Sequence, residues 1–229
     1  MIRIFPSLLL GAFLFMCLSS RAEESFGTHF TSIQQEELLS GKKIKIEEEI
    51  PGNPWPRFSI YQLVKSSPEN VAAVFWNCEL DPEYIPNCLS VRILKRPSPG
   101  VIEAEYTLKM PFFLPNEVYI SRNELTSPSP STYMISWQVD KTRYIRKSQG
   151  NILLQPAHGG TLIRYTNLVE PGSKFARLLR TQAGTQVIEC VGALTSQVEQ
   201  ELGKSSALLM KQVEELRKSQ QSQSSSRSE

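Results

Sequence analysis

Two cysteines ten positions apart, Cys78 and Cys88, bracket the turn-rich run ELDPEYIPN within VFWNCELDPEYIPNCLSVRIL. Paired thiols can hold a metal, exchange disulfides or simply pack. Redox and zinc sites bring cysteines together as C-x-x-C, and that spacing does not occur here. Of the two histidines, His29 lies in a polar N-terminal segment and His158 in the tight turn PAHGG, so neither is placed to meet the other or the cysteines. The sequence has no G-x-S-x-G and no H-E-x-x-H. No catalytic residue, metal ligand or cofactor is therefore assigned.

Glu103 and Glu105 are a candidate carboxylate pair, but Ile102, Ala104, Tyr106, Leu108 and Met110 alternate with them and take the buried face. Strand alternation turns both carboxylates to solvent. The run NEVYISRNELT is less orderly. If Val118 and Ile120 face inward, so do Arg122 and Glu124, unless a bulge shifts the register. An inward Arg122 could orient a polar head group, and an ion pair at the sheet margin is the plainer alternative. Tyr106, Trp137 and Tyr165 put large aromatics with polar tips on the apolar faces of three strands, where they can serve as core or as ligand wall.

These residues must be positioned by the elements around them. TSIQQEELLSG reads as a short helix ended by Gly41, and KIKIEEEI alternates like a strand. After the break NPWP, RFSIYQLVK is a strand with Gln62 as its polar inward position. Ser67 caps a helix whose first position is Pro68, and Val71, Val74, Phe75 and Cys78 form its inward stripe. Asp81-Pro82 repeats the cap-plus-proline device for a second helix of one turn, stopped by Pro86. Six strands follow near 88–95, 101–110, 117–126, 132–140, 146–155 and 161–169, separated by turn chemistry. Ile135 and Trp137 share one face, as do Ile163 and Tyr165. Ser173 then caps a long helix carrying Phe175, Leu179, Ala183, Val187, Val191, Leu194, Val198 and Leu202 at helical spacing. Gly184 and Gly192 in that helix would each weaken it by about 1 kcal/mol relative to Ala, which points to close packing or bending there. Beyond Gly203 an amphipathic segment runs into a polar tail of disordered composition.

The chain opens MIRIFPSLLLGAFLFMCLSSRAEE, with Arg3 ahead of an apolar run and Ser20-Arg21-Ala22 at the end. This reads as a secretory signal peptide cleaved near Ala22, placing the mature protein in the periplasm or outside the cell. The run is shorter than the roughly 20 residues of a membrane span. Bulky Met16 argues against lipid anchoring at Cys17. Removing residues 1–22 takes away two arginines and no acid, leaving equal numbers of basic and acidic residues. No basic excess remains for a nucleic-acid partner. In an oxidising compartment thiols pair where geometry allows, so Cys78 and Cys88, flanking one corner, are the expected disulfide, with Cys190 free. Such a short loop would stabilise by under about 3 kcal/mol.

Taken in order, PWPRFSIYQLVKSSPENVAAVFWN, YIPNCLSVRIL, VIEAEYTLKMP, SQGNILLQP and LIRYTNLVEPG resemble the START-like, or polyketide-cyclase-like (SRPBCC), helix-grip superfamily, and its exported bacterial branch in particular. The resemblance covers residues 42 to about 200. It implies an α+β helix-grip fold: a curved seven-stranded antiparallel sheet around a long C-terminal helix, with two short helices after the first strand. The organisation that follows is signal peptide 1–22, N-terminal leader 23–54, helix-grip domain 55–203, and amphipathic segment with tail 204–229. The resemblance also implies a cavity between sheet and helix for a lipid or other apolar molecule. Its expected walls are Tyr106, Leu108, Met110, Arg122, Ile135, Trp137, Ile163, Tyr165, Val187 and Val191. A carrier of this kind would touch membranes transiently to exchange its ligand. A cyclase or aromatase acting in the same cavity, and a ligand-free interaction module, stand as alternatives, because fold does not fix function.

Overall fold

A computed structural model describes residues 30–110, 114–172, 180–204 and 206–226. The signal-peptide region, His29, Phe175 and Leu179 lie outside the described residues. Thr31 opens α1 (Ser32–Leu39) with a capping box: Gln34 N–H donates to the Thr31 hydroxyl (3.3 Å) and Thr31 N–H to Gln34 Oε1 (2.9 Å). Gly41, at φ 82°, takes the left-handed turn that follows. Next come β1 (Ile44–Glu48) and β2 (Arg57–Val64). Ser67 caps α2 (Pro68–Trp76) by accepting from Asn70 N–H at 3.2 Å, with Pro68 in the first turn. A 3-10 turn at Cys78–Leu80 leads into α3 (Asp81–Tyr84).

The remaining strands are β3 (Cys88–Ser98), β4 (Val101–Leu108), β5 (Glu117–Ser129), β6 (Thr132–Val139), β7 (Ile145–Ala157) and β8 (Gly160–Pro171). All join one antiparallel sheet in the order β1-β2-β8-β7-β6-β5-β4-β3. Closing β2 against β8 brings the two ends of the domain together. Two long helices, α4 (Arg180–Gly203) and α5 (Ala207–Ser226), complete the fold.

The sheet has eight strands rather than seven, because the leader's Ile44–Glu48 pairs with β2 as an edge strand. The described part of the leader, from Phe30 on, thus packs with the domain. Phe30, Leu38 and Ile44 form a small core with Tyr61, Leu63 and Leu162 on the outer sheet face, and Arg180 of α4 pairs with Glu47 and Glu49. The main core lies on the other face, where Phe58, Ile60, Ile135, Ile152, Leu154 and Ile163 meet Val71, Val74, Val187, Val191, Leu194 and Val198. Gln62, the polar inward position of β2, receives the Thr195 hydroxyl of α4 at 3.4 Å. At Gly184 an added Cβ would lie 3.0 Å from the Phe58 ring, so close helix–sheet packing accounts for that glycine. The tail also departs from its composition. Residues 219–226 continue α5 as helix, and Trp76 Nε1 donates to the Ser219 hydroxyl at 3.3 Å, anchoring the start of that extension. Arg217 grips Glu69 of α2 through two hydrogen bonds (2.6 and 2.8 Å).

Candidate functional site

The inner face gathers aromatics from five elements. Trp137 of β6 and Tyr165 of β8 have ring centroids 4.9 Å apart, and Phe75 of α2 lies 6.1 Å from the first and 6.4 Å from the second. Tyr106 of β4 stacks on Tyr119, its cross-strand partner on β5, at 5.4 Å and 4° between planes. Gly150 lies directly opposite Trp137 on β7, and the bare backbone there lets the indole lie close over the strand.

Asp81 supplies the polar end of this face. Tyr84 Oη donates to Asp81 Oδ1 at 2.9 Å and Tyr106 Oη to Oδ2 at 3.4 Å. Burial pushes the Asp81 carboxyl up to about 7, and the two phenols pull it only partly back. The thiols of Cys78, Cys88 and Cys190 are each pushed up to about 12, first by burial and then by the Asp81 charge. Burial likewise carries the phenols of Tyr84, Tyr106, Tyr119 and Tyr165 well above the ordinary tyrosine range. Yet Asp81, all four tyrosines, Phe75 and Trp137 keep part of their surface accessible. These side chains are thus deeply set in the fold without being fully covered by it.

The expected wall residues fall into four groups. Tyr106, Trp137 and Tyr165 come together on this inner face, packed against the main core. Ile135, Ile163, Val187 and Val191 are fully packed behind it, while Leu108 and Met110 are half-buried at and just beyond the end of β4. Arg122 belongs to the opposite face. Val118 and Ile120 are 55 % and 51 % exposed, so the whole row they share with Arg122 and Glu124 points outward, and Tyr119, Ser121, Asn123 and Leu125 face in. Arg122 pairs with Glu103 at 3.3 Å and lines an open polar depression of about 610 Å³ on the outer sheet surface, with Arg57, Glu124, Gln149, Asn151 and Arg164. Arg122 does form an ion pair, but with Glu103 across the β4–β5 ladder and not with Glu124 at a sheet margin. Glu103 and Glu105 are outward, paired with Lys95 and Arg92.

Cys78, Cys88 and Cys190 are free thiols, so the expected bridge is not formed in this structure. Cys78 instead meets the Tyr106 hydroxyl, and Cys88 is fixed on β3 opposite Leu108. His158 sits in the exposed β7–β8 turn at φ 47°. Among the described residues no group of three or more His, Cys, Asp or Glu side chains could hold a metal, and no helix is long and apolar enough to cross a membrane. Asp81 is the site residue that sequence reasoning missed. Its Asp-Pro setting reads as a helix cap, and the usable signal was the inward Tyr106 on a strand that follows the same corner.

No protein-family model matches the sequence, and comparison with curated protein sequences returns no match. The likeness lies in three dimensions. A STAR-related lipid transfer protein from Xanthomonas axonopodis superposes with TM-score 0.62 at 14 % identity, covering 69 % of this chain and 93 % of that one. The aromatase/cyclase Zhui from a Streptomyces species gives 0.54 at 12 %, covering 64 % and 94 %. A START superfamily protein from Mycobacterium smegmatis gives 0.52 at 19 %, covering 63 % and 97 %. The chain has the START-like helix-grip fold, an α+β architecture of curved antiparallel sheet and long C-terminal helix. Its solved neighbours include both a lipid transfer protein and an aromatase/cyclase, so the fold alone does not choose between carrier and enzyme.

Proposed function

We propose that the chain is an exported binding protein for a lipid or other apolar small molecule, held between the sheet and α4. The observation that carries the reading is the set Phe75, Tyr106, Trp137 and Tyr165, enclosed by the fold and still presenting open surface. Covering about 300 Å² of apolar ligand surface would contribute roughly 7 kcal/mol before the losses of association, which caps the affinity at a micromolar scale. Ligand exchange would take place at a membrane surface. The neighbouring lipid transfer protein supports this reading.

Trp137→Ala is expected to weaken binding of a neutral apolar probe by about tenfold, with a loss of roughly 3 kcal/mol in stability. Binding and melting measured on the same preparation decide it. A folded variant that melts lower and binds the probe as tightly as the parent makes the indole a core residue and removes the main support for the reading. A cyclase-type enzyme is the second reading. Asp81, titrating near neutrality beside two phenols, is an inner-face group suited to proton transfer.

Export rests on residues 1–22. The secreted form is expected to begin at Glu23. An intact mass corresponding to a lipid-modified Cys17, or to retention of Met1, removes the claim.

A further inference from the structure

Asp81 has no ion-pair partner among the described residues, although its carboxylate is enclosed by the fold. Two phenols occupy two of its roughly four acceptor positions. Among the described residues, the titratable groups coupled directly to it are uncharged at neutral pH: Cys78 before α3, Tyr84 on α3, Cys88 on β3, Tyr106 on β4, Tyr119 on β5, Tyr165 on β8 and Cys190 on α4, with Glu117 of β5 reaching Tyr119 and Glu189 of α4 reaching Cys190. Arg96 and Glu79 reach Cys78 with opposite signs. A buried carboxylate left this way is unusual, because enclosure ordinarily demands a cation or a full set of donors. The aromatic wall of Phe75, Trp137 and Tyr165 continues from Tyr106 on the same face, so an apolar molecule lying there would end at this group.

Resting on the apolar-ligand reading above, we propose that Asp81, Tyr84 and Tyr106 form the polar anchor of the interior site. The anchor takes an amphiphile whose head donates hydrogen bonds and bears no negative charge, such as a long-chain alcohol or a monoacylglycerol. A hydroxyl head fills an open acceptor position on Asp81. A carboxylate, sulfonate or phosphate head meets like charge at short range in a medium of low dielectric, where the repulsion is large.

The test uses the delipidated full chain and displacement of the neutral dye N-phenyl-1-naphthylamine. At pH 8 dodecan-1-ol is expected to displace the dye at a concentration about tenfold or more below that needed for dodecanoate. Asp81→Asn should bring the two within about threefold, chiefly through tighter dodecanoate binding. A measurement on the unaltered chain guards against misfolding of the variant. Dodecane-1-sulfonate, anionic throughout, should bind about tenfold more tightly at pH 5 than at pH 8 as Asp81 is protonated, while dodecan-1-ol changes little. Equal displacement by alcohol and carboxylate at pH 8, or a sulfonate affinity flat with pH, overturns the anchor and leaves the apolar site standing. A dye that no folded preparation binds overturns both.

Discussion

Asp81→Asn is expected to raise the melting temperature of the ligand-free protein by about 5–10 °C at pH 8, an advantage that vanishes at pH 4.5. The carboxyl titrates at about 7 in the folded chain against 3.8 when unperturbed, chiefly because burial penalises its charge. Between those values the folded state holds a proton that the unfolded state has released. This group therefore favours folding at acidic pH and opposes it progressively as the pH rises through the window, reaching its full cost above about 7. A difference of that size corresponds to roughly 4 kcal/mol. Asparagine avoids the ionisation but makes poorer partners for the two phenols, which leaves a net gain of about 2–3 kcal/mol at pH 8. Glu47 and Glu214, whose carboxyls are held below the usual range by Lys45, Arg180 and Lys218, work in the opposite sense at lower pH. They act equally in both proteins, so the difference between parent and variant isolates Asp81. Thermal melts across pH 4.5 to 8 check it. A variant that is no more stable than the parent at pH 8 would show that Asp81 is not a strained charge. Retention of a group that opposes folding at neutral pH is what a binding anchor requires, since function is the usual reason for such a sacrifice.

Gly150→Ala carries the second large effect. A Cβ at that position would run into the backbone carbonyl of Thr166 and lie 2.6 Å from Trp137 Cε2. The indole can turn, but the Thr166 carbonyl belongs to β8 and is held in the β7–β8 ladder. Relief therefore requires strand displacement, at a cost of about 3 kcal/mol or more. The melting temperature should fall by about 6–12 °C. Because Trp137 leans on this glycine, binding of a neutral apolar dye should weaken as well. A variant that melts within about two degrees of the parent would mean that the strands part easily there, and that Trp137 is not set by Gly150.

Much of this was legible in the chain. The alternation of Ile102, Ala104 and Tyr106 with two glutamates fixed the faces of β4, and Ser67-Pro68 marked the start of α2. Periodicity carried the inward stripe of α4 from Val187 to Val198. Periodicity failed on β5, where β-branched Val118 and Ile120 suit an extended backbone even on an open face, and the buried row is Tyr119, Ser121, Asn123 and Leu125. Ser121 and Asn123 tolerate burial because their side chains hydrogen-bond each other at 2.8 Å. That compensation cannot be read from hydrophobicity. Edge pairing of β1 and the docking of Ser219 on Trp76 are likewise tertiary events. Asp81 was hidden for a related reason: a helix-initiating Asp-Pro and a ligand anchor have the same local sequence, and only the approach of Tyr106 from β4 separates them.

The most direct test of the central claim is mass spectrometry of an organic extract from gently purified, undelipidated protein. One amphiphile class is expected in near-stoichiometric amount, with an apolar body and a hydroxyl-bearing head without negative charge. The contradicting result is an extract free of any such molecule, from a folded chain that also binds no fatty acid, phospholipid, sterol or quinone at roughly tens of micromolar.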